Sequence, residues 1–231
     1  MLWLDRLILS QGAFRLHAHW SADAGDRIAV IGPSGAGKST LLLAIAGFIQ
    51  PEQGRILWEG QDLGPLSPGQ RPVSILFQDQ NLFPHLSLFE NLGLGLSPSL
   101  RPKASDAPRI EAALARMGLG GLGGRKPGEV SGGQQGRAAL ARVLLRSRPI
   151  LLLDEPFAAL GPALKSEMLD LVAEVADETR ALVMMVTHDP QDAKRFARKV
   201  VLVSGGQAEP PRETEALFAD PPDTLRDYLG R

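Results

Sequence analysis

The sequence predicts an α/β fold: a buried, largely parallel sheet, preceded by a small antiparallel β subdomain and interrupted by a helical insertion. Three observations carry this. Residues 27–31, Arg-Ile-Ala-Val-Ile, pass through a glycine-rich turn into an apolar helical run at 38–46 that Gly47 closes, a strand–loop–helix unit. The runs 150–153 (Ile-Leu-Leu-Leu) and 182–186 (Leu-Val-Met-Met-Val) lack polar alternation, the pattern of strands covered on both faces. The stretch 92–126, rich in Gly, Pro and Ser, breaks both patterns and holds one amphipathic segment, at 109–117.

The other elements follow in order. Phe14, Leu16, Ala18 and Trp20 alternate along a strand, so the first sixty residues are expected to supply the antiparallel sheet beside the site. A helical run follows at 137–146. Further on, Gly161 is expected to cap a helix that Pro162 begins, with Leu164, Met168, Leu171, Val172 and Val175 as its apolar stripe. At a prior of about 150 residues per domain, 231 residues make one domain with an insertion. Its core is expected at 1–88 and 147–231, with a helical subdomain at 89–146.

Composition excludes several classes of function. With 44% hydrophobic and 22% charged residues and a net charge of −1, the chain gives no reason to expect nucleic acid as a partner. The absence of cysteine removes disulfides, iron–sulfur clusters, zinc thiolates and cysteine nucleophiles. Asp5 interrupts the first apolar residues, so the start reads as a strand rather than a secretory leader. The longest apolar run, 41–49, is about half the ~20 residues that span a bilayer, so a membrane role would require a partner.

The chemistry is concentrated in a few segments. Gly32, Pro33, Ser34, Gly35, Ala36, Gly37, Lys38, Ser39 and Thr40 match the phosphate-binding loop pattern between a strand and a helix, its required context. Such a loop aims successive N–H groups at phosphate oxygens, and the helix N-terminus adds partial positive charge. Lys38 is expected on the β- and γ-phosphates of a bound nucleotide and Ser39 on Mg²⁺. The strand at 150–153 delivers Asp154 and Glu155. Two carboxylates there can divide metal binding and water activation between them, although two acids at a strand end can also simply begin a loop.

Ser131, Gly132, Gly133 and Gln134 open the 137–146 helical run, a second anion site at a helix N-terminus. The same letters recur at 204–207, but a strand precedes them and Pro210 and Pro211 follow, so that copy reads as a hairpin turn. His17 and His19 alternate on one strand face with no third ligand nearby, so no metal site is expected there.

In order and spacing, the phosphate loop, Ser131 to Gln134, Leu153-Asp154-Glu155-Pro156 and Thr187-His188-Asp189 resemble the ATP-binding cassette (ABC) ATPases over essentially the whole chain. The resemblance implies a P-loop NTPase core and a head-to-tail homodimer in which residues 131–134 of one subunit meet the ATP held by the other. It implies Mg²⁺ on Ser39, Gln78 and Asp154, and catalysis by Glu155, with His188 holding the γ-phosphate and Gln78 sensing metal and water. The segment 71–98 is similar to importer ATPases, most of all those of thiamine import. Implied partners are integral membrane permease subunits and, through the complex, a periplasmic or extracellular solute-binding protein. The implied location is peripheral, on the cytoplasmic face of the inner membrane. Import of another small solute and a soluble cassette ATPase stay open as alternatives. Related importers append a regulatory domain of about a hundred residues; the chain is expected to lack one.

Four positions depart from the family pattern. Gln11 stands where an adenine-stacking aromatic is usual, with Phe14 as the nearest substitute. Gln135 and Gly136 replace Arg and Gln, and a glycine inside a helix costs about 0.5–1 kcal/mol. Gly161 replaces an aspartate.

Overall fold

The computed structural model describes residues 1–77, 82–97, 103–158 and 160–229. Strands β1 (Leu2–Gln11), β2 (Phe14–Ala22), β4 (Gln53–Trp58) and β5 (Gln61–Asp62) form the antiparallel subdomain. Leu16, Ala18 and Trp20 face inward along β2, as the alternation predicts. Between them in sequence, β3 (Arg27–Ile31) enters the parallel set with β6 (Val73–Leu76), β7 (Ile150–Asp154), β8 (Leu182–Val186) and β9 (Lys199–Ser204).

The turn at Gly205 and Gly206 joins β9 to β10 (Gln207–Ala208), so the second Ser-Gly-Gly-Gln is the expected hairpin. It also does what the sequence did not announce. Strand β10 runs parallel to β2, and the Trp20 indole N–H donates to the Ala208 carbonyl at 3.1 Å, fusing the two sub-sheets into one. A short β11 (Arg212–Glu213) pairs with β9 on its own.

The sheet divides the interior. Ile28 and Val30 of β3 face a core shared with the antiparallel strands and α1 (Lys38–Ala46), while Ala29 and Ile31 face a second core. Against that second core lie α2 (Leu88–Leu96), α3 (Ala107–Arg116), α4 (Gly132–Leu145), α5 (Pro162–Thr179), α6 (Pro190–Phe196), α7 (Thr214–Ala219) and α8 (Asp223–Leu229). Two-sided burial is what the unbroken apolar runs of β7 and β8 require.

Helix α2 runs into the glycine-rich stretch that is expected to form part of a helical insertion. Ser87 and Glu90 form a reciprocal capping box, and Asn91, fully buried, donates to the carbonyls of Phe83, Leu86 and Ser87. These caps outweigh the two glycines in the helix. Helix α5 begins as predicted, with Gly161 at the N-cap in an extended conformation and Pro162 first in the helix. Arg71 is fully buried: its guanidinium donates to the carbonyls of Ala44 and Ile45 at the end of α1, and its Nε to that of Leu66.

Candidate nucleotide site

Strand β3 ends where the 32–37 loop curls into the N-terminus of α1, so backbone N–H groups and the helix dipole converge there. Lys38 folds back over the loop, its Nζ 2.9 Å from the carbonyls of both Gly32 and Pro33. Burial lowers its pKa, opposed by the charges of Glu155 and Asp154. Gln11, Phe14, Ser34, Lys38, Ser39 and Glu155 are among the lining of a cavity of about 350 Å³ on the side of β2. There the Phe14 ring occupies the space that a Cβ on Gly37 would need.

Strand β7 brings Asp154 to the loop. The Ser39 hydroxyl donates to Asp154 Oδ1 at 3.0 Å, and burial raises the carboxylate's pKa against that bond. Glu155 follows at φ 46°, a left-handed conformation that a side chain rarely adopts. Its Oε2 lies 3.2 Å from His188 Nδ1.

The His188 segment is pinned on both sides. Thr187 Oγ1 donates to Asp192, and Asp189 caps α6 through Gln191 N while pairing with Lys165 at 2.9 Å. That lysine keeps the Asp189 carboxyl below its usual range. A cavity of about 550 Å³ is lined by Gly32, Ser34, Lys38, Glu155, His188 and Pro190, together with Tyr228 and Leu229 of α8. Sequence reasoning missed Tyr228, which lies 40 positions from His188 and belongs to no motif.

Ser131 is exposed at the N-cap of α4, its side chain accepting from Gln134 N while Gln134 reaches back to Ser131 N. None of residues 131–134 lines either cavity, so one chain does not bring its two phosphate cradles together. Gln78 lies outside the described residues. Asp154 and Ser39 present hard oxygen donors, which suit a Mg²⁺ that keeps waters and substrate phosphates as its other ligands.

The sequence model of the ABC transporter family matches residues 17–158. The chain is 70% identical over 230 residues, covering both proteins fully, to the thiamine import ATP-binding protein ThiQ of Cereibacter sphaeroides. It is 57% identical, again over both full lengths, to that of Ruegeria sp.. In shape it is similar to the dimeric ATP-binding cassette MJ0796 bound to ADP and Pi, with a TM-score of 0.81 and 26% identity, over 93% of this chain and 99% of that one. With Glu155 and His188 lining one cavity with the phosphate loop, Asp154 bonded to Ser39 at that loop, and these similarities over the chain, the protein belongs to the ABC transporter family as an ATP-binding subunit.

Proposed function

We propose that this chain is the ATP-hydrolysing subunit of a thiamine importer, working as a homodimer on the cytoplasmic face of the membrane. The observation that carries the hydrolytic role is the convergence of Lys38, Asp154, Glu155 and His188 around the phosphate loop. Lys38 and the loop N–H groups hold the β- and γ-phosphates. Ser39 and Asp154 hold Mg²⁺, with Gln78 as a further ligand; the ion, when bound, neutralises charge building up on the phosphate oxygens. Glu155 orients and polarises a water whose oxygen attacks the γ-phosphorus, breaking its bond to the β–γ bridging oxygen and leaving ADP and phosphate. His188, oriented by Glu155 through Nδ1, keeps its other nitrogen for the γ-phosphate.

The exposed Ser131 supports the paired arrangement: a capped helix N-terminus open to solvent can cover the γ-phosphate of a second copy. Thiamine as solute rests on the relatives' names. Among the described residues no helix is long and apolar enough to cross a membrane, so coupling runs through permease subunits. Phe48 and Phe83, large and exposed, with Phe77 edge-on to Phe48 at 5.7 Å, offer apolar contact to a permease segment. Residues 89–146 are proposed to act as the helical subdomain. The test is purification of the intact complex and assay of its ATPase with candidate solutes on the binding protein. Stimulation by thiamine supports the reading; stimulation by another solute alone replaces thiamine. A subunit that copurifies with no membrane protein overturns the transport role.

A further inference from the structure

Helix α8 reaches the phosphate-side cavity from outside every recognised motif. Leu225 is fully buried in the core, and Tyr228 and Leu229, three and four residues further along the same helical face, pack against that core and line the cavity. The Tyr228 hydroxyl donates to the main-chain carbonyl of His188 at 2.7 Å. Burial, and then the negative charges of Glu155 and Asp189, hold the phenol's pKa above its ordinary value, so the hydroxyl remains a donor through the neutral range.

The neighbours of that carbonyl are fixed by other means, Thr187 through Asp192 and Asp189 through Lys165 and the α6 N-terminus. Tyr228 supplies the hold on the residue between them. Rotation of the peptide plane after His188 would swing its Cα–Cβ direction and carry the imidazole away from Glu155, 3.2 Å distant. Resting on the reading of Glu155 and His188 as reacting groups, we infer that Tyr228 is a positioning residue for hydrolysis: it sets His188 through the main chain and makes α8 part of the site.

The experiment is steady-state ATPase of the intact complex carrying Tyr228→Phe, which removes one oxygen and keeps the ring. The kcat is expected to fall about fivefold to tenfold, the scale of one lost hydrogen bond, while the KM for ATP stays within about twofold. His188→Ala supplies the second arm. A tyrosine acting through His188 adds no further loss in the double variant, whereas multiplied losses overturn the inference. An unchanged kcat in Y228F also overturns it. So does weaker binding of a non-hydrolysable ATP analogue matching the loss in kcat, since Tyr228 would then be a packing residue. Full turnover in Glu155→Gln removes the reading of the site itself, whereas an inert Y228F removes only the role of the tyrosine.

Discussion

His188 Nδ1 stands 3.2 Å from Glu155 Oε2, and Glu155 holds that contact from a left-handed backbone at φ 46°. A non-glycine residue in this region stores on the order of 1 kcal/mol or more, and it persists where the surroundings over-determine it. Here they do: Glu155 N donates to Val186 O, and the Glu155 carbonyl accepts from Ala158 N. The strained turn directs the carboxylate off the axis of β7 and toward the imidazole.

Glu155→Gln keeps the shape and removes the charge that polarises water. Hydrolysis is expected to fall at least about 100-fold with ATP binding retained. Light scattering of this variant should give a dimer with MgATP and a monomer without it. Near-normal turnover would remove Glu155 from its role, and a mass independent of ATP would count against Ser131 acting across the pair.

Phe14 packs on Gly37 and lines the cavity on the side of β2, where Gln11 also lies. A base stacked on an aromatic ring gains about 1–3 kcal/mol. Phe14→Ala should raise the Kd for ATP about tenfold and leave kcat at saturating ATP nearly unchanged. Calorimetric titration showing unaltered affinity would place the adenine elsewhere.

Asp154 supplies a pH prediction whose sign can be worked out. Burial leads the causes that raise its pKa in the folded chain, with Ser39 and Lys38 opposing and Glu155 reinforcing. A raised carboxyl pKa penalises the ionised folded form, so the penalty is absent below the unfolded value of about 3.9 and full above the folded one. Nucleotide-free Asp154→Asn should therefore melt about 1–3 °C higher at pH 7, and the gap should close as pH falls toward 4. Stabilisation by MgATP should be lost in the same variant. A lower melting point at pH 7 would show that the carboxylate is net stabilising.

What was legible in the sequence was local. The phosphate loop, the Gly161–Pro162 helix start and the hairpin copy of Ser-Gly-Gly-Gln each depend on neighbours within a few residues, and the structure shows the same elements. The Ser87–Glu90 box that starts α2 was equally local and was overlooked behind the glycines that follow it. Other features needed the folded chain. The parallel pairing of β10 with β2, the burial of Arg71 and the approach of Tyr228 to His188 join positions tens to nearly two hundred residues apart. The Ser131 cradle is legible as a helix start, yet its proposed target belongs to a second copy.

Gly161 has φ −66° and ψ 158°, accepts no capping bond through a side chain, and an added Cβ would meet nothing within 4 Å. Aspartate therefore enters without strain and is worth only a few tenths of a kcal/mol at the cap, so melting should rise by about 1 °C or less. Turnover of the assembled transporter is expected to increase, roughly twofold or more, because a carboxylate here can help align water and Glu155 across the dimer. Repulsion from Glu155 is the opposing effect. Equal or lower turnover with ATP binding intact would show that repulsion wins.

Gly47 ends α1 at φ 93°, and a Cβ there would stand 2.6 Å from the Nε of buried Arg71. The two positions therefore form a ratchet for sequence drift. While the arginine is present, any side chain at 47 meets both a strained backbone and an occupied space. Only after residue 71 shortens can 47 accept even an asparagine, the side chain most at ease in that backbone region. A lineage that takes the steps in the other order passes through an overpacked intermediate, so the guanidinium that closes the phosphate-loop helix also dictates the sequence in which its own neighbourhood can change.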